Sequence, residues 1–232
     1  MATSSQNSSA AASTDRQMVV CVFCGSSPGT SPAHLEAARS LARSFHEHGI
    51  KLVYGGGTVG VMGELAKTLV SLSGPDAVHG VIPEALLKFE RKDTENGTTS
   101  SARNVIDEKT YGRTTVVNDM HTRKETMVKD VAAGGPGSGF VALSGGYGTM
   151  EELMEMVTWN QLGIHALPVV LYNVEGYWDG IMQWVTTAVQ SGFIGESNAG
   201  IMVEGNTSGE VVEKLRTYQA AEGRFKLHWG EK

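Results

Sequence analysis

Apolar and polar positions fall in blocks along this chain. Short apolar or β-forming runs occupy Met18 to Phe23, Lys51 to Tyr54, Val78 to Ile82, Thr114 to Val117, Phe140 to Leu143, Leu167 to Tyr172 and Ile201 to Glu204. Runs of this length without polar alternation read as strands buried on both faces. Between them, apolar residues recur at helical spacing. Leu35, Ala38, Leu41, Ala42 and Phe45 share one face of a helix predicted from Ser31-Pro32 to about His48. Ser31 suits its N-cap, Pro32 its first position and Gly49 its end. Further helices are predicted from Gly60 to about Leu72, Met120 to Val131, Thr149 to about Leu162, Tyr177 to Ser191 and Ser208 to Tyr218. Strands alternating with helices predict an α/β fold. It is a doubly wound, Rossmann-like parallel sheet with helices on both faces, a single domain over residues 18–220. Residues 1–17 are rich in Ser and Ala and read as a disordered tail, and 221–232 as a loose C-terminal tail. The polar stretch Lys88 to Arg103 and the glycine-rich Ala132 to Gly139 read as surface segments, the latter a flexible loop tip.

In such sheets ligands bind at the carboxyl ends of strands, near a switch in strand order. The glycine turns lie there. Gly145-Gly146-Tyr147-Gly148 follows the strand Phe140 to Leu143, and Thr149 then opens a helix carrying Glu151 and Glu152. Strand, glycine turn and helix start present backbone N–H groups to an anion. Thr149-x-x-Glu152 also reads as a capping box, which is a purely structural use of Glu152. Glu151 alone fits a dipole-complementing acid. Arg123, Lys124 and Met127 stand three, four and seven positions after Met120 and share its helix face. That face suits either a pocket for a flat base and a phosphate or a pair of cations snorkelling over a core edge.

Composition narrows the classes. The chain has 232 residues and a formal net charge of −6, which argues against nucleic-acid binding but allows a small anion in a local pocket. No apolar run is long enough to span a bilayer. Two cysteines, Cys21 and Cys24, suit a reducing compartment, expected to be the cytoplasm. Their C-x-x-C spacing lies on a strand, where residues three apart face opposite ways, so two reduced thiols are expected. The first residues hold no apolar signal core, and Arg16 alone does not make a mitochondrial presequence. The seven histidines show no zinc spacing and no carboxylates cluster for magnesium, so no metal is expected. Gly55-x-Gly57-x-x-Gly60 matches the dinucleotide fingerprint, but the acid expected about 20 residues on, at the end of the next strand, here Ile82-Pro83, is absent. The nearest acid, Glu84, lies beyond Pro83.

Taken together, several stretches resemble the LONELY GUY family of cytokinin-activating phosphoribohydrolases. They are Cys21 to Ser27, Tyr54 to Gly63, Gly80 to Pro83, Asp119 to Met127, Gly145 to Glu152, Thr158 to His165 and Asn173 to Asp179. The resemblance spans about Met18 to Tyr218. It implies that Arg123 and Glu152 form the catalytic pair. It further implies that Ser27, Met120, Lys124, Gly145, Gly146, Tyr147, Gly148, Thr149, Glu151 and Thr158 bind substrate. Ser144 stands where the family has proline, and a family glutamate expected near the Lys88 to Arg103 loop is left unassigned. The implied substrate is a nucleotide monophosphate, the implied assembly a homodimer, and no cofactor is called for.

The implied reaction hydrolyses the N-glycosidic bond of N6-substituted adenosine 5′-monophosphates, with AMP as a further candidate. A carboxylate near the ribose can stabilise an oxocarbenium-like transition state and orient water, and Glu152 is expected to do so. Arg123 supplies fixed charge, because guanidinium does not lose its proton. Three rivals stand beside this. A lysine decarboxylase would need a Schiff-base lysine and a pyridoxal phosphate partner set. An NAD-dependent enzyme would need the missing ribose acid. A non-catalytic nucleotide or cofactor carrier would share the fold but would not need Glu152.

Overall fold

The computed structural model describes residues 16–87, 90, 106–227 and 229. The stretch Lys88 to Arg103, apart from Glu90, and nearly all of the N-terminal tail lie outside the described residues. In chain order the elements are β1 (Val19–Phe23), α1 (Ala33–Glu47), β2 (Lys51–Tyr54), α2 (Gly60–Ser73), β3 (Val78–Pro83), α3 (Glu84–Leu87), α4 (Glu108–Tyr111) and β4 (Arg113–Val117). They continue with α5 (Met120–Ala132), β5 (Gly139–Ala142), α6 (Tyr147–Gln161), β6 (Val169–Tyr172), α7 (Asp179–Gln190), β7 (Met202–Gly205) and α8 (Ser208–Thr217).

The strands form one seven-stranded sheet in the order β4-β3-β2-β1-β5-β6-β7, and every neighbouring pair is parallel. This is the doubly wound Rossmann-like architecture that the alternating pattern predicts. The chain winds outward from β1 to β4, then returns to place β5 on the other side of β1. The switch point is therefore the crevice between the carboxyl ends of β1 and β5.

Both sheet faces are covered. On one, Val20, Val22, Leu52 and Tyr54 pack against Leu41 and Phe45 of α1, Leu65 and Leu69 of α2 and Val211 of α8. On the other, Cys21, Phe23, Val53 and Phe140 meet Met127 and Val131 of α5, Leu153 and Met156 of α6, and Trp178 and Val185. Central strands buried on both sides explain the unbroken apolar runs. Cys21 and Cys24 are free, buried and in opposite cores. Burial is the chief cause that pushes both thiols far up.

Three local expectations need correction. The first helix begins at Ala33 with Pro32 as N-cap, while Ser31 Oγ accepts from the Ala33 N–H at 3.3 Å. The segment Ala132 to Gly139, expected as a flexible tip, is tied to the start of the sheet. Gly135 N–H donates to the Gln17 carbonyl at 2.9 Å, and Val19 N–H to Ser138 Oγ at 2.9 Å. The C-terminal segment, expected to be loose, is bonded back onto the end of α6 over its described residues. Arg224 Nε donates to the Asn160 carbonyl at 2.8 Å, Phe225 N–H to Gln161 and Trp229 Nε1 to Leu162. Those acceptors lie in and just past the last turn of α6, whose carbonyls have no partner within the helix.

Candidate functional site

A cavity of about 470 Å³ opens at the switch point. Its walls come from the loops after β1, β2, β3 and β5 and from the start of α5, and they include Cys24, Gly25, Gly55, Gly57, Met62, Ile82 and Leu86. Of the residues expected at the site, Met120, Arg123, Gly146, Tyr147, Gly148, Thr149 and Glu152 line it.

Arg123 is buried, and its place depends on glycine. A side chain at Gly55 would overlap the Arg123 guanidinium, so the bare backbone after β2 is what lets the arginine in. The dinucleotide-like glycine pattern is thus accounted for by close approach. Gly60, at φ +63°, backs against Ser26 in the same way. Arg123 Nε donates to the Val81 carbonyl at 3.1 Å, and Nη1 lies 2.8 Å from Glu152 Oε1. Both side chains are under one tenth exposed. Burial pushes the Glu152 carboxyl above its ordinary range; Arg123 opposes the shift and Glu151 adds to it.

The glycine turn differs from expectation in one respect. Helix α6 starts at Tyr147 with Gly146 as N-cap, and Met150 N–H already bonds to the Gly146 carbonyl at 3.1 Å. Thr149 is therefore the third helical residue rather than the cap, and Glu152 stands a turn further in, so the capping box does not form. Glycine accepts the extended cap backbone, and Gly145 must lack a side chain because one would overlap Thr149 Oγ1 and crowd Gly25 N. The amides of Tyr147, Gly148 and Thr149 fall in the first turn, where helical N–H groups have no intrahelical partner and favour an anion. Tyr147 is 97% exposed, so its ring faces solvent at the cavity rim.

Ser27, Lys124, Gly145, Glu151 and Thr158 are not among the lining residues. Ser27 is exposed on the loop after β1. Lys124 follows Arg123 by one residue, and that rotation of about 100° turns it to α6. Its Nζ lies 2.5 Å from Glu151 and 2.9 Å from Glu155. Burial pulls the lysine down, but the two carboxylates outweigh it and leave it raised. Gly145 lies behind the turn. Thr158 is about 9 Å along the helix from Glu152 at the standard rise. Its hydroxyl bonds to the Met154 carbonyl, and it borders a different groove with Trp184 and Phe193.

Among the lining residues not assigned to the site from the sequence, Glu90 is the charged one. Glu90 reaches the turn after β2, and its Oε2 accepts from both the N–H and the hydroxyl of Thr58 at 2.6 Å. The polar stretch around it gave no periodicity, so its only signal was the family glutamate expected near the Lys88 to Arg103 loop, which spacing alone did not place.

Fold and site together define a Rossmann-like protein with a helix-start anion seat beside a buried arginine–carboxylate pair. The family model described as "Possible lysine decarboxylase" matches residues 62–215. The cytokinin riboside 5′-monophosphate phosphoribohydrolase of Arabidopsis thaliana is 40% identical over 91% of this chain and 88% of its own. A bifunctional cytokinin biosynthesis protein of Fusarium pseudograminearum is 54% identical over 91% of this chain, which spans 42% of that longer protein. The chain belongs to the cytokinin riboside 5′-monophosphate phosphoribohydrolase family. Among solved structures, the molybdenum cofactor carrier protein of Chlamydomonas reinhardtii superposes with a TM-score of 0.57 at 18% identity, over 87% of this chain and 97% of that one. That likeness bears on the fold alone.

The decarboxylase wording does not fit the site. A Schiff base needs a free, neutral amine facing the cavity. Among the described residues lining it there is no lysine, and adjacent Lys124 is held charged by two acids.

Proposed function

We infer that this chain hydrolyses N6-substituted adenosine 5′-monophosphates to the free base and ribose 5-phosphate. The observation that carries this is the buried Arg123–Glu152 pair beside the start of α6. The phosphate sits on the amides of Tyr147, Gly148 and Thr149. This puts the ribose over Arg123 and Glu152 and leaves the base to the apolar wall of Ile82, Leu86 and Met120. As the N-glycosidic bond lengthens, positive charge grows on the ribose. Glu152 stabilises that charge and orients the attacking water. Arg123 fixes the carboxylate in place and keeps the site's charge balanced.

A carrier of the same fold needs the amide seat but no buried carboxylate facing it, so Glu152 favours hydrolysis. Incubation with isopentenyladenosine 5′-monophosphate, with chromatography of the free base, tests the reading. Bound but unchanged nucleotide would support the carrier instead.

A homodimer fits the groove beside Thr158. Phe193 is 87% and Trp184 47% exposed there, an apolar patch that a second copy could cover. Light scattering on the purified protein measures this. No described helix is long and apolar enough to cross a membrane. Two buried free thiols support a reducing compartment such as the cytoplasm.

A further inference from the structure

Ser144 and Gly145 join β5 to the cap of α6, and three separate parts of the chain hold them. The Ser144 carbonyl accepts from the Gly25 N–H at 3.0 Å, in the loop after β1. Ser144 Oγ is buried and lies 3.0 Å from Nδ1 of His34 on α1. The Gly145 carbonyl accepts from the Tyr177 hydroxyl, in the loop before α7. The His34 and Tyr177 rings close the arrangement edge to face, with centroids 5.9 Å apart and planes at 78°. Gly29, at φ +74°, leaves room for the His34 ring, which a side chain there would crowd.

None of His34, Ser144 or Tyr177 lines the cavity. What they contact is the backbone immediately before the anion seat. That backbone is intrinsically loose, since glycine occupies three of the four positions 145–148. Amides stabilise an anion best when they need no reorganisation on binding. A proline in place of Ser144 would restrict the turn through its ring. Here the restriction comes from a side-chain tether.

We propose that His34 and Tyr177 are positioning residues. They clamp Ser144 and Gly145 and so aim the amides of Tyr147, Gly148 and Thr149 at the substrate phosphate. The proposal rests on reading the start of α6 as the phosphate seat. The tether works with either protonation state of His34. Neutral Nδ1 accepts the Ser144 O–H, and protonated Nδ1 donates to the same oxygen.

The test is steady-state kinetics on isopentenyladenosine 5′-monophosphate for the wild type, His34→Phe, Ser144→Ala, the double variant and His34→Asn, each checked by thermal melting. Phenylalanine keeps the ring against Tyr177 and loses the tether. Asparagine restores a polar atom close to Nδ1. Phosphate binding is common to ground and transition states, so its loss appears in KM. Each single variant should raise KM about 3- to 10-fold, on the scale of one hydrogen bond, with kcat within about 2-fold. The double variant should be no worse than either single one, and His34→Asn should recover most of the loss. If His34→Phe fails to fold, Ser144→Ala carries the measurement. Unmoved KM in folded variants, a fall in kcat alone, or additive effects would overturn the clamp while leaving the phosphate seat standing. A wild type that neither binds nor hydrolyses the monophosphate would overturn both.

Discussion

Arg123 and Glu152 meet inside the protein, Nη1 to Oε1 at 2.8 Å, one from the helix after β4 and the other from the helix after β5. The pair spans the switch point, and neither residue has a surface reason to be charged. Glu152→Gln keeps the shape and a hydrogen-bond acceptor for Arg123 but removes the charge. It should lower kcat by about 10²- to 10⁴-fold, the range for a positioned acid or base, with KM little changed. Single-turnover release of free base measures this. Wild-type turnover in a folded variant would sink the assignment.

The raised carboxyl of Glu152 makes a pH prediction. If the ionised form is required, activity rises with pH as Glu152 loses its proton, so the acid limb should lie above the ordinary carboxylate range. Arg123 holds that limb down. Arg123→Gln should therefore move it further up, besides lowering the plateau. A pH profile of kcat/KM for both proteins, over a range where each stays folded, checks the direction.

Gly55 gives a steric test of the same pair. Gly55→Ala should push the Arg123 guanidinium off Glu152, with a stability loss of about 1–3 kcal/mol for overpacking and a marked fall in kcat. The control is Gly180→Ala on α7, where a side chain meets nothing within 4 Å. That change should be neutral or stabilise by up to about 1 kcal/mol. Thermal melts and initial rates on both variants separate the effects.

These residues mark what the sequence could and could not disclose. The sheet was legible because its buried strands carry unbroken apolar runs, and the glycine turns because each follows such a run. Arg123 was legible by its resemblance to family motifs. The start of α6 was misjudged because Thr149 and Glu152 have capping-box spacing, whereas the cap is set by which backbone can turn, and Gly146 turns first. Lys124 and Thr158 lie outside the lining of the chain's own cavity for a geometric reason. Helical spacing says which residues share a face, but not which neighbouring carboxylate captures a lysine or how far along the axis a threonine sits. Glu90 has no periodic context, and its contact with Thr58 is long range.

Glu90 itself is testable. It satisfies the Thr58 N–H and hydroxyl together, and charge-assisted bonds of this kind are worth about 1.5–3 kcal/mol. Glu90→Ala should loosen the turn after β2 against the cavity and raise KM, with a smaller effect on kcat than Glu152→Gln. Restored affinity in Glu90→Gln, which can still accept from Thr58, would tie the effect to the turn. An equal loss in both would point to the charge acting on the substrate.

A last prediction concerns stability rather than turnover. His165 sits past α6, with Nε2 3.0 Å from the Met156 carbonyl and Nδ1 accepting from the Leu167 N–H at 3.1 Å. Both nitrogens are used by a neutral ring. Burial, aided by the charge of Arg224, pulls its pKa down to about 4, against a weaker opposing effect of the Met156 carbonyl. In the unfolded chain the ring titrates near its ordinary 6.5. Between those values the unfolded state binds more protons, so stability rises with pH across the window. It should be complete above about 6.5 and be lost progressively as pH falls toward about 4, by up to about 3 kcal/mol from this group. Glu152 has the opposite sign, because a raised carboxyl favours the folded state at low pH. Urea melts at a series of pH values on the wild type and His165→Gln separate the two. The histidine variant should be less stable at neutral pH and show a shallower loss between pH 6.5 and 4. An unchanged slope would show that His165 does not carry it.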